Sequence, residues 1–279
     1  MTNRVLSEQD LSAFRAHLLQ EEKSAITIEK YLRDAAYFMT FARGKSITKE
    51  LTVAYKKYLQ ERGYAVRSVN SMLAAVNSLL SFLGWQDCRV KNLRCQRQIY
   101  CAEEKELTKG EYLRLLEASW NQPRLNLIIQ TICATGIRVS ELKFFTVEAV
   151  RAGDISVQCK NKTRMIIIPG KLKKLLLNYA KKKKITNGAI FVTKGGKPLD
   201  RSNIWAQMKR LCRTAKVNPE KVFPHNLRKL FARTFYCVEK DIAKLADILG
   251  HSSIETTRIY IMSTGMEHRQ KIERLGLLI

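Results

Sequence analysis

Ala134-Thr135-Gly136-Ile137-Arg138-Val139-Ser140-Glu141-Leu142 is followed, about ninety residues later, by His225-Asn226-Leu227-Arg228, then Gly250-His251 and Tyr260. Two arginines, two histidines and a late tyrosine suit attack on a phosphodiester by a tyrosine hydroxyl. The transition state of such a reaction gathers charge on its equatorial oxygens, and guanidinium forks meet that geometry bidentately. A free tyrosine has a pKa of about 10, so a base and cationic neighbours are needed to make it a nucleophile. A 5′ alkoxide leaves poorly and calls for a general acid. Taken singly, each fragment says little. Arg-x-x-Glu on a helix is usually a surface ion pair, and a lone tyrosine on an amphipathic helix is usually core.

Between the first two fragments the periodicity changes. Residues 154–168 alternate, turn at Asn161 and continue as a β-branched run, which predicts a hairpin. Ala189-Ile190-Phe191-Val192-Thr193 predicts a third strand, followed by a Gly195-Gly196 turn. On either side the pattern is helical. Thr108 and Glu111 match a capping box opening a helix over 109–119, with another over 124–135. Helices resume from about Ser202.

Upstream, residues 7 to about 86 read as helix throughout. Starts are predicted at Ser7, Ser24, Thr48 and Ser68, each followed by apolar residues at helical spacing. Residues 87–106 lack a sustained apolar period and read as an interdomain linker, with basic residues suited to lying along a phosphate backbone. The expected layout is a helical domain over 1–86, the linker, and an α+β domain over 107–279. The fold class is mainly α with a small antiparallel sheet.

The 279 residues carry 50 Lys+Arg against 25 Asp+Glu, a formal charge of +25. The excess is uneven: net +5 over residues 1–106 and net +20 over 107–279. Such a field favours a polyanion. No apolar run is long enough to span a bilayer, and the N-terminus lacks a secretory pattern, so a cytoplasmic protein without a membrane partner is expected. Cys133, Cys159, Cys212 and Cys237 sit in apolar segments and read as reduced core thiols. Cys88, Cys95 and Cys101 have the wrong spacing for zinc, and no histidine is near. With no P-loop and no carboxylate cluster for magnesium, neither cofactor nor metal is expected. Lys171, Lys173, Lys174 and the run Lys181–Lys184 read first as a solvated helix face, with DNA contact as the alternative.

In this order, Ala134–Leu142, His225–Arg228, Leu249-Gly250-His251-Ser252-Ser253-Ile254-Glu255-Thr256-Thr257-Arg258-Ile259-Tyr260, and a lysine at the hairpin turn resemble the tyrosine recombinase family. That family includes Xer-type recombinases and the integrases of phages and conjugative transposons. The resemblance spans nearly the whole chain, and residues 1–86 look like the family's SAM-like core-binding domain. It implies that Arg138 and Arg228 hold the scissile phosphate, that Glu141 orients the site and that His251 supports the phosphate. It further implies that His225 accepts a proton or a hydrogen bond near the nucleophile, and that Tyr260 forms a 3′-phosphotyrosyl bond. Lys160 would protonate the leaving oxygen, with Lys162 as a rival because the turn is short. Lys229 stands where many members have a histidine.

The function expected from this resemblance is site-specific recombination through a Holliday junction. The partners would be double-stranded DNA with paired inverted sites and a homotetramer on that DNA, the free chain being a monomer or weak oligomer. Ser24, Thr27, Lys30, Arg67, Asn70 and Ser71 are the candidate DNA contacts of the first domain. The apolar end at Leu275, Leu277, Leu278 and Ile279 would dock on a neighbouring protomer or fold back on its own domain. The start near residue 7 suggests no arm-binding module, which favours a Xer-like or simple mobile-element role. Two alternatives remain open: a type IB topoisomerase, which shares the chemistry but needs no paired sites, and a non-catalytic DNA-binding regulator.

Overall fold

The computed structural model describes residues 4–94, 106–159, 162–193, 195–262, 269 and 272–275. The chain divides into two compact units, residues 1–97 and 98–279.

Among the described residues the first unit is built from α1 (Glu8–Gln20), α2 (Ala25–Ala42), α3 (Lys49–Glu61) and α4 (Val66–Phe82). Ser7, Ser24 and Thr48 cap the first three helices through their side-chain oxygens, satisfying backbone donors that have no partner within the helix. The fourth helix begins two residues earlier than its pattern predicts. Ala65 is its N-cap without a side-chain bond, and Ser68 lies inside the first turn. Phe14, Leu18, Phe38, Tyr55, Leu59, Leu73 and Leu80 form the core of the bundle.

Residues 89–93, expected in the linker, lie against this unit. Asn77 donates to the Val90 carbonyl at 2.8 Å and accepts from the Val90 N–H at 2.9 Å. Asn70, seven residues earlier on α4, treats Leu93 the same way, at 2.9 and 2.7 Å. Two turns of helix thus mimic the edge of a β-ladder, with side-chain amides in place of peptide groups. Lys49 and Lys56 add bonds to the Arg89 and Lys91 carbonyls. Cys88 is buried beside the Ile47 carbonyl; Cys95 and Cys101 lie outside the described residues.

The second unit opens with α5 (Lys109–Ala118), where Thr108 and Glu111 form the reciprocal cap, and α6 (Pro123–Thr135). A 3-10 turn over Val139–Phe144 leads to α7 (Val147–Ala152). Strands β1 (Asp154–Cys159) and β2 (Lys162–Ile167) pair antiparallel, with Val157 opposite Arg164 and Ile155 opposite Ile166. Then come α8 (Gly170–Lys182), α9 (Arg201–Ala215), α10 (Pro224–Glu239), α11 (Ile242–Leu249) and α12 (Ile254–Ile261). Its main core joins Leu115, Ile128, Ile132, Phe145, Val157, Leu176, Phe191 and Leu227.

Residues 189–193 do not add a third strand to the hairpin. Ala189 bridges Thr146, Ile190 donates to the Phe145 carbonyl at 2.9 Å, and Val192 bridges Pro198. The segment is spent on the loop before α7, and Pro198 has no N–H with which to extend a ladder. The cysteine reading is corrected too. Cys212 is buried, Cys133 is half-buried, and Cys237 is exposed because it falls on the outer face of α10. The Cys159 side chain lies outside the described ones. Lys171, Lys174 and Lys181–Lys184 are exposed on and just after α8.

Candidate active site

The two glycines of the quoted fragments are where the site begins. Gly136 caps α6 in the left-handed region (φ 63°), and a Cβ there would collide with the Phe231 ring. Gly250 ends α11 in the same conformation, and a Cβ there would collide with the Arg164 stem. Only glycine meets both demands, backbone and space. The Gly136 turn delivers Arg138 to the surface, and the Gly250 turn delivers His251, whose N–H bonds back to the Ala246 carbonyl at 2.9 Å.

Arg228 is 1% exposed. It donates through Nη1 to the Gly136 carbonyl and through Nη2 to the Leu249 carbonyl at 2.6 Å. Its Nη2 also lies 3.0 Å from His251 Nε2, while its Nε has no partner among the described residues. Burial, and then the nearby Arg138 charge, lower its pKa to about 10, which leaves it charged at neutral pH. Arg138 is 40% exposed and donates through Nη1 to Glu141 Oε1 at 3.2 Å and through Nη2 to the Gly250 carbonyl at 3.3 Å. The Arg138 N–H donates to the other Glu141 oxygen at 2.7 Å.

Glu141 is fully buried and shared with a second guanidinium, that of Arg164, which also donates to the Ile248 carbonyl. Sequence reasoning missed Arg164. A signal was there: it shares the inward parity of β2 with Ile166, opposite buried Val157. A charge at an apolar parity position requires a buried partner. Arg138, Arg164 and Arg228 against Glu141 leave a local excess of positive charge, as an anion site needs.

Tyr260 is buried on α12 between two imidazoles. Ring centroids are 5.1 Å to His225 and 5.0 Å to His251, and the Arg228 guanidinium carbon is 5.9 Å from the tyrosine ring centre. His225 and Arg228 sit one turn apart on α10, just after Pro224 at its first position. Burial, followed by the charges of Lys229, Arg228 and Arg138, pushes the His225 pKa down. Burial and the three guanidiniums push His251 down to about 4. Both rings are therefore neutral near pH 7 and able to accept a proton or a hydrogen bond. A cleft of about 750 Å³ opens beside Arg138, His225 and Arg228, its other wall formed by Arg201, Trp205 and Lys209.

The structure thus gathers Arg138, Glu141, His225, Arg228, His251 and Tyr260. Lys160 lies outside the described residues, as does most of the chain beyond Met262, including the proposed docking end. Lys162 is paired by its backbone with Cys159. In the first unit, Ser24, Arg67 and Ser71 are exposed and Thr27 is half-buried beneath Ser24. Lys30 is bound to Asp34 at 2.7 Å and to the Ser71 carbonyl at 2.7 Å. Asn70 has both ends of its amide occupied by Leu93, because the strap needs a donor and an acceptor at that point. Among the described residues no helix is long and apolar enough to cross a membrane.

Residues 105–266 match the phage integrase family, and residues 11–87 match the phage integrase N-terminal SAM-like domain. The chain belongs to the phage integrase family, and it is a DNA strand-transferring enzyme of the tyrosine recombinase type. It is 29% identical over 290 residues to tyrosine recombinase XerA of Pyrococcus furiosus, covering 100% of this chain and 98% of that one. It is 28% identical to tyrosine recombinase XerD of Halalkalibacterium halodurans, over 84% of this chain and 86% of that one. Among solved structures, XerA recombinase aligns at 28% identity with a TM-score of 0.55, covering 97% of this chain and 99% of that one. A lambda integrase tetramer bound to a Holliday junction shares the fold at 19% identity and a TM-score of 0.73, covering 93% and 78%.

Proposed function

We propose that this chain is a site-specific recombinase that cleaves and rejoins DNA through a 3′-phosphotyrosyl bond at Tyr260, acting as four protomers on two inverted sites and passing through a Holliday junction. The observation that carries this reading is the meeting of Tyr260, two neutral imidazoles and a buried guanidinium whose Nε has no partner among the described residues. Arg138 and Arg228 hold the non-bridging oxygens, with forks that match them bidentately. His225 takes the phenolic proton or holds the nucleophile through a hydrogen bond. His251 supports the phosphate, Glu141 fixes Arg138, and Lys160 protonates the departing 5′ oxygen. The covalent bond conserves the energy of the broken phosphodiester, so rejoining needs no nucleotide. The acidic surface of duplex DNA suits the basic second unit, with Ser24, Thr27, Arg67 and Ser71 offering further contacts on the first. The apolar end docks on a neighbouring protomer.

A nicked suicide duplex carrying a candidate inverted repeat, sought in the DNA that flanks the gene, tests the reading. The wild-type chain is expected to become attached to it, and Tyr260→Phe to bind it equally but never attach. An adduct formed by the phenylalanine variant would remove Tyr260 from its role. On supercoiled plasmid, relaxation without paired sites would favour the topoisomerase reading, and binding without any cleavage the regulator.

A further inference from the structure

Thr257 is fully buried on α12, and its hydroxyl oxygen lies 2.9 Å from His251 Nδ1. Across the same ring, His251 Nε2 lies 3.0 Å from Arg228 Nη2. A guanidinium can only donate, so Nε2 must turn a lone pair toward it. The single proton of the neutral ring is then on Nδ1, and that N–H donates to Thr257.

The sequence relation gives this bond its meaning. His251 does not belong to the tyrosine's helix; it hangs from the end of α11. Thr257 does belong to that helix, one turn before Tyr260 and buried on the same face. The chain of contacts therefore runs from the helix of the nucleophile, through one imidazole, to the phosphate-binding guanidinium. We propose that Thr257 is a positioning residue that makes the orientation of His251 conditional on the seating of α12. With the helix seated, the ring is held as its Nδ1–H tautomer against Arg228. With the helix lifted, the ring loses its anchor and the clamp loses its partner. The proposal rests on the reading of Tyr260 as the nucleophile, and it adds a reason why tyrosine and clamp are ready together.

Thr257→Val keeps the shape and removes the hydroxyl, and Thr257→Ser keeps the hydroxyl. The full chain has four histidines, so imidazole nitrogen spectra of histidine-labelled protein can be assigned residue by residue. The wild-type and serine forms are expected to show His251 as the Nδ1–H tautomer. The valine form is expected to lose that signature and to form the covalent adduct roughly ten- to hundredfold more slowly, because a buried N–H is left without an acceptor. Its duplex binding should not change, and the serine form should react near the wild-type rate.

An Nε2–H tautomer in the wild-type protein would overturn the proposal even if the valine variant failed to fold. So would a valine variant with unchanged spectra and rate, or a serine variant as slow as valine. A wild-type chain that forms no adduct would count against the proposed function instead, and the three spectra would still decide the Thr257 link.

Discussion

Two clusters of polar side chains, one in each unit, are spent in opposite ways. In the first, Asn70, Asn77, Lys49 and Lys56 are consumed by the protein's own backbone, each covering a peptide group of the strap over residues 89–93. Every bond made there is already complete. In the second, the guanidiniums of Arg138 and Arg164 share the buried Glu141 carboxylate, and the Nε atoms of Arg164 and Arg228 have no partner among the described residues. An unsatisfied buried donor costs stability, and under the proposed function the Arg228 Nε, beside the cleft, is a donor kept for the scissile phosphate. The difference separates a place that holds a shape from a place that holds a charge.

The largest expected effect is at Arg228. Arg228→Lys keeps the charge and loses the fork, and adduct formation should fall by about a hundred- to a thousandfold with little change in duplex affinity. Equal losses in the two measurements would make Arg228 an ordinary backbone contact and erase the contrast between the units. Glu141→Gln comes next. It leaves two guanidiniums facing each other without their shared counter-charge, and the melting transition should record a loss of roughly 2–4 kcal/mol together with slower cleavage. A variant as stable as the parent would mean that solvent already compensates the pair.

Asn70→Ala and Asn77→Ala should each cost about 1–2 kcal/mol by denaturant titration of the first unit's signal, since each strands two peptide groups. Cleavage by the folded protein should stay near its parent rate. If Asn70→Ala instead weakens DNA binding while leaving stability alone, that residue belongs to the interface after all. The smallest effect is in pH. His251 is held near about 4 in the folded chain and returns to its ordinary value when unfolded. As pH falls from about 6.5 toward about 4, the unfolded chain takes up this proton first and stability declines. His251→Asn should flatten that part of the stability profile, with His225, also lowered, accounting for what slope remains.

What could be read from the chain beforehand divides along physical lines. Helix starts at Ser7, Ser24, Thr48 and Thr108 were legible because a capping side chain acts within three residues of itself. The site fragments were legible because glycine, arginine and histidine at fixed spacing have few other reasons to coincide. Arg164 and Thr257 escaped because their meaning lies in partners 23 and 6 residues away in the chain, on other elements. The strand expected at 189–193 had the right residue types, but pairing is a tertiary choice, and the Phe145–Thr146 loop took the hydrogen bonds. Asn70 shows a similar limit. A polar residue near an exposed helix start suggests a ligand contact, and only the folded path of residues 90–93 reveals the peptide groups it serves.

That strap also sets the length of a tether. Leu93 is fastened to the first unit and Glu106 to the second, the latter through Lys229 at 3.0 Å. The covalent path between them can therefore extend no farther than about 45 Å. Under the proposed function the two units then behave as a bivalent ligand for one duplex. Once either unit has bound, the other is confined to a small volume around the site, at an effective concentration on the order of millimolar. Weak contacts in each half would suffice for a firm grip, and release would begin with either half letting go alone.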